Sequence, residues 1–173
     1  MNEWRLEFIP FGELNSVLQS ASLEVARILG EFDTEEFFLA CNHGPNATLG
    51  VRRDKSYLDS KLTSWDGTAE ALKLWDDYLR WNSTLDCAYQ TYLGPERPVP
   101  LIVSGNKLSF VPKKFDSLRT MMVEPTINQF FQQGLGNVIQ DRLRRHGGID
   151  ISTQPLCHRN LVNVITAHGL EIA

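Results

Sequence analysis

The stretch VPKKFDSLRTMMVEPTINQFFQQGLGNVIQDRLRR, Val111 to Arg145, switches period at its centre. Up to Pro125 it alternates as extended chain, and TMMVEP reads as a strand that Pro125 ends. Beyond Thr126, Ile127, Phe130, Phe131, Leu135, Val138, Ile139 and Leu143 recur at helical spacing as far as about His146. Upstream, PLIVSGNKLSFVPK reads as two short strands around Gly105-Asn106, a favoured hairpin-turn pair. Gly134 and Gly136 inside the helix each cost about 1 kcal/mol of helix propensity, and their presence predicts close approach of another backbone.

Toward the N-terminus the pattern is helical. Leu14, Val17, Leu18, Ala21, Val25, Ile28 and Leu29 repeat at three- and four-residue steps before Gly30, predicting an amphipathic helix over 12–29. A second, shorter helix is expected from a cap at Asp33 or Thr34 through FFLAC to the breaker His43-Gly44-Pro45. A third should start at a cap within Asp66 to Thr68 and bury Ala71, Leu72, Trp75, Tyr78, Leu79 and Trp81, whose aromatic stripe reads as core rather than as a ligand cage. A last helix is expected from Ser152 or Thr153 to His168, with GLEIA opening a further strand. The fold class is therefore α+β, mostly helical with a small antiparallel sheet. The Pro-rich stretch Gly94 to Pro100 is the natural linker between a helical region 1–95 and a region 96–173 that holds the sheet.

Composition sets the outer limits. A chain of 173 residues with 42% apolar side chains can bury a core. The formal charge of −4 does not suit a general nucleic-acid coat, but it conceals an asymmetry. Residues 1–95 hold 8 Lys/Arg and 15 Asp/Glu, whereas residues 97–145 hold 8 and 3. Cys41, Cys87 and Cys157 are odd in number and widely spaced, so neither a disulfide framework nor a zinc site is expected, and reduced thiols are. No signal peptide or membrane span is legible, which implies a soluble chain.

Three basic constellations could carry chemistry. A triphosphate site needs mobile Lys charges and an Arg fork on a stiff backbone, and Lys113, Lys114 and Arg119, with Lys107 upstream, meet that description. The same residues also suit an ordinary solvated hairpin. Gly44 to Arg53, GPNATLGVRR, is a turn-rich loop leading into Arg52 and Arg53, which could follow an RNA backbone or simply cover the surface. Arg142, Arg144 and Arg145 crowd a helix C-terminus, where cations complement the dipole and also suit a phosphate rail. The four His lack the spacing of metal ligands, and His168 reads as a helix cap beside Gly169.

Taken in order, GPNAT (Gly44 to Thr48), the block Val111 to Arg145, and GIDISTQPLCHRNL (Gly148 to Leu161) resemble the replicase subunit of the leviviruses, the positive-strand RNA bacteriophages. The resemblance implies an RNA-directed RNA polymerase built as a right hand, of which this chain is the fingers portion. It places the basic hairpin at the nucleotide entry channel with Arg119, Lys113 and Lys114 toward the incoming NTP, while Arg52, Arg53, Arg142, Arg144 and Arg145 stand, by their charge, as candidate contacts to RNA. At Lys114 the family often has an uncharged residue, and Asn46 stands where the family's loop usually has Gly. Magnesium is implied for the parent polymerase, but no acid here matches its metal-binding carboxylates. The expectation is an N-terminal fragment that ends before the palm, has no catalytic or metal-binding residues of its own, and does not polymerise alone. Host elongation factors Tu and Ts, a ribosomal protein, and the cytoplasm of the infected bacterium follow as implied partners and location. A non-catalytic RNA-binding module and a helical interaction protein with an acidic N-terminal half stay open as alternatives.

Overall fold

The computed structural model describes residues 12–94 and 98–167. In order they form α1 (Gly12–Leu29), α2 (Thr34–Ala40), a 3₁₀ turn (Arg53–Lys55), α3 (Leu58–Leu62), β1 (Asp66–Gly67), α4 (Ala69–Trp81), α5 (Ser83–Leu93), β2 (Leu101–Ile102), β3 (Lys107–Lys114), β4 (Ser117–Val123), α6 (Thr126–Gly147), a 3₁₀ turn (Ile151–Thr153) and α7 (Gln154–Ala167). The α+β expectation holds, with helix dominant and one antiparallel pair, β3 with β4. The expected strand at GLEIA and the His168 cap lie outside the described residues.

The chain divides into two compact units, Asp33–Val138 and the flanking pair Met1–Phe32 with Ile139–Ala173. In the Asp33–Val138 unit the core is aromatic. Trp75, 1% exposed, stacks on Tyr78 with ring centroids 5.4 Å apart and meets Phe130 edge-on at 5.1 Å. Phe37 stacks on Phe131, and Phe38 meets Tyr78 edge-on, so α2, α4 and the first half of α6 share one apolar seam. The stripe on α4 is core, as its spacing predicts, although Trp81 is 40% exposed. Gly134 shows why glycine stands there: a Cβ would collide with Cys41 Sγ and lie 2.9 Å from Cys41 Cα. At Gly136 nothing described lies within 4 Å, so the expected close approach holds for Gly134 alone.

Caps mark the helix starts. Asp33 accepts from the amides of Glu35 (2.8 Å) and Glu36 (3.1 Å), which settles the cap of α2 on Asp33. Thr68 Oγ1 accepts from Ala71 N–H at the start of α4. Asn82 caps α5 through Leu85 N–H at 3.0 Å. That helix packs Tyr89 onto Trp65 edge-on at 5.3 Å and has no counterpart in the sequence reading. Its apolar marks, Leu85, Tyr89 and Leu93, are too sparse to announce it among Thr84, Thr91 and polar neighbours.

The sheet corrects one expectation. Gly105-Asn106 is not the hairpin turn, because Leu101–Ile102 pairs in parallel with Asp66–Gly67, across position 95. Leu101 N–H donates to Trp65 O and Val103 N–H to Gly67 O, so tertiary pairing captures this strand before a local hairpin can. The hairpin is β3 with β4, and it turns at Phe115-Asp116 between the paired residues Lys114 and Ser117. Among the described residues no non-glycine has positive φ, so this turn is not one of the primed types that match strand twist. A register irregularity between Pro112 and Lys114 lies next to this turn, and Pro112 itself has no N–H to give the ladder.

In the other unit, α1 ends at Gly30, whose φ of +61° suits a helix stop. Ile28 is buried, whereas Val17, Leu18 and Val25 are more than half exposed, so much of the expected apolar stripe is uncovered among the described residues. Arg27 donates to Glu24 and to His146 O at the end of α6.

Candidate functional site

Pairing assigns the hairpin's faces. Val111 lies opposite Arg119, Ser109 opposite Met121 and Lys107 opposite Val123, so Arg119 shares a face with Lys107. On the opposite face Leu108, Phe110 and Pro112 pair with Met122, Thr120 and Leu118. Leu108, Phe110, Leu118 and Met122 are each more than half exposed, so the hairpin carries cations on one face and an open apolar ladder on the other. Lys113 sits in the irregularity and Lys114 next to the turn, which brings both to the hairpin's tip.

Among the described residues no side-chain hydrogen bond or ion pair engages Lys107, Lys113, Lys114 or Arg119. Other cations are paired locally: Arg27 with Glu24, Arg80 with Asp77, and both Arg144 and Arg145 with Asp141. The strip's charge is therefore free at the hairpin and partly neutralised elsewhere.

The hairpin's root is fixed. Glu124 follows β4, and its carboxylate accepts from Asn106 Nδ2 (3.0 Å), just ahead of β3, and from Gln132 Nε2 (3.3 Å) on α6. Pro125, Thr126 and Ile127 are buried. Thr126 N–H donates to Asp66 Oδ2 at 2.9 Å, so a carboxylate from β1 caps α6 from sixty residues away. The Asn128 side chain completes the join by accepting from Thr68 N–H (2.9 Å) and donating to Thr68 Oγ1 (3.3 Å).

The GPNAT loop packs on this root. Thr48 Oγ1 and Thr126 Oγ1 share a hydrogen bond of 2.7 Å, and Leu49 N–H donates to Glu124 O at 2.8 Å. Lys61, 1% exposed, donates from its ammonium to Gly44 O and to Asn46 O. Burial holds that ammonium below its usual pKa. Asn46 keeps a negative φ, so the loop has no need of Gly there. His43 lies against Phe130 and Trp75, with both ring nitrogens buried and unpartnered, and burial pushes its pKa down to about 4. In the sequence His43 reads only as part of a helix breaker, and Lys61 as one more residue of a polar stretch. A buried Lys looks the same as a surface one until the loop it holds is placed.

Arg52 lies 3.5 Å from Asp54, and the exposed Arg53 opens the adjacent 3₁₀ turn. Arg142 donates to Leu29 O and, at 2.7 Å, to Glu31 O, which ties its guanidinium to the C-terminal end of α1. Arg144 and Arg145 stay exposed on the last turn of α6. Cys41 is a buried free thiol pushed up to about 12, and Cys87 and Cys157 are exposed and free. Among the described residues no three His, Cys, Asp or Glu side chains converge to hold a metal. Nor is any described helix long and apolar enough to cross a membrane.

A helical scaffold presenting a basic hairpin on a Glu-Pro-Thr root, whose Pro125 and Thr126 are buried, is the class of structure these residues build. The chain belongs to the RNA replicase, beta-chain family, which it matches over residues 6–162. It is 29% identical to the RNA-directed RNA polymerase beta chain of Enterobacteria phage GA over 154 residues, 88% of this chain and 29% of that protein. Over 54 residues, 31% of this chain, it is 43% identical to the RNA-directed RNA polymerase subunit beta of Escherichia virus Qbeta, covering 9% of that protein. The chain thus spans under a third of the length of these relatives.

Proposed function

We propose that this chain forms the fingers-side part of a phage RNA-directed RNA polymerase and that its β3–β4 hairpin faces the incoming NTP. The parent reaction is nucleotidyl transfer: the 3′-hydroxyl of growing RNA attacks the α-phosphorus of an NTP, an RNA phosphodiester forms, and pyrophosphate leaves. In this reading Arg119 supplies a fork for two phosphate oxygens, while Lys113 and Lys114 add mobile point charges. The observation that carries it is that these side chains have no partner among the described residues, on a hairpin whose root is clamped. Cations on an anchored backbone that no described residue neutralises are available to an anion.

Arg52, Arg53, Arg144 and Arg145 would contact RNA phosphates, with Arg142 chiefly securing α1. The described residues offer no carboxylate set for magnesium, so metal-dependent chemistry would fall to residues elsewhere in a replicase, and the isolated chain would not extend a primer. Host elongation factors Tu and Ts and a ribosomal protein are the partners this reading brings, in the cytoplasm of the infected cell. Titrating the isotope-labelled chain with ATP while following its NMR spectrum tests the proposal. Shifts confined to residues 112–120 are expected, whereas shifts confined to other parts of the chain would contradict it.

A further inference from the structure

We infer that Lys61 is a positioning residue whose buried ammonium, through the GPNAT loop, sets the root of the β3–β4 hairpin. Its importance for substrate rests on the triphosphate reading above, but the clamp itself does not.

Lysine is almost never fully buried, because its ammonium loses water on entering the protein. Lys61 is 1% exposed and is met by two backbone carbonyls, Gly44 O and Asn46 O. Core packing would be served better by Leu or Met at the same volume, so the ammonium marks a need to hold those carbonyls. They belong to a loop whose polar contacts lead in one direction. Thr48 accepts from Val51 N–H (3.2 Å) and shares its hydroxyl hydrogen bond with Thr126. Leu49 N–H donates to Glu124 O. Glu124 in turn touches both legs of the hairpin, one by following β4 and the other through Asn106 ahead of β3. Releasing the loop at Lys61 therefore loosens the point from which both strands are aimed. No other described cation acts through this loop.

Hydrogen exchange on the 173-residue chain carrying Lys61→Met tests the clamp. Met keeps the stem's volume and removes the ammonium. The Leu49 amide should exchange about tenfold faster or more, the scale for losing hydrogen bonds to a charged donor, while the interior amides of α4 keep their rates. Unchanged Leu49 exchange would overturn the inference, and so would equal acceleration throughout α4, which marks general core support. Should Lys61→Met fail to fold, Thr48→Val is read by the same criterion, since it cuts the same path one step later.

ATP affinity supplies the second readout. Lys61→Met should weaken it severalfold and add little in an Arg119→Ala background, because both changes act through one hairpin. Full additivity would contradict the coupling. If the unaltered chain binds no ATP, the triphosphate reading falls, and the Leu49 exchange still decides the clamp.

Discussion

Asp66 and Thr126 stand sixty residues apart, yet the Asp66 carboxylate accepts the Thr126 amide at 2.9 Å and so caps the helix that the hairpin leads into. Asp66 also accepts from Ser64 Oγ at 2.8 Å and is itself buried. Asp66→Ala strands a buried N–H and removes a helix cap, and should cost about 2–3 kcal/mol. Asp66→Asn keeps an acceptor and should cost less. Urea midpoints of the two variants, compared at equal m-value, check this ordering.

The two glycines of α6 should respond in opposite directions. Gly134→Ala forces a methyl into Cys41 and should destabilise, by about 1–3 kcal/mol for overpacking. Gly136→Ala meets nothing described and gains helix propensity, so it should stabilise by up to about 1 kcal/mol. Thermal midpoints moving the same way in both variants would show that the packing at Cys41 has been misread.

His43 makes stability depend on pH in the acid range. Its folded pKa lies near 4 against an ordinary value of 6.5, with burial the larger cause and the Lys61 charge the smaller. The unfolded chain therefore binds the proton more readily, and stability from this group is complete above pH 6.5 and lost as pH falls toward 4. The loss should be on the order of 3 kcal/mol. His43→Phe should flatten the stability profile between pH 6.5 and 4 relative to the unaltered chain, as read from urea midpoints across that window.

The cationic end of α6 should separate into two kinds of Arg. Arg142 donates to the carbonyls that end α1, so Arg142→Ala should lower stability by about 1.5–3 kcal/mol, the scale of a charged hydrogen bond. Arg144→Ala or Arg145→Ala should leave stability nearly unchanged and reduce the slope of log affinity against log salt for single-stranded RNA by about 0.7 for each phosphate no longer neutralised. RNA titrations at several salt concentrations, paired with melting curves, distinguish the two.

How much of this could be read beforehand depends on how local each cause is. Helix spacing and caps are local, and α2, α4 and α6 stand where Asp33, Thr68 and the Ile127-Phe130-Phe131 pattern put them. Gly134 was legible because a glycine inside a good helix asks for a neighbour, and Cys41 is that neighbour. The turn was not, since Gly105-Asn106 carries a strong local hairpin signal that pairing of Leu101–Ile102 with Asp66–Gly67 overrides. Lys61, His43 and Asp66 were hidden for the same reason: their roles depend on partners far along the chain, 15 residues away for Lys61 and Asn46 and 60 for Asp66 and Thr126. The basic residues of the candidate site were visible as a composition, whereas only the fold shows which of them the protein itself employs.

The central claim is that Arg119 faces a triphosphate. Its most direct test is the affinity of the 173-residue chain for ATP, measured by calorimetry for the unaltered protein and for Arg119→Ala. The account predicts about tenfold weaker binding in the variant, the scale of one charge-assisted hydrogen bond, with the melting temperature unchanged because the side chain has no protein partner among the described residues. Equal affinity in the two proteins would contradict it.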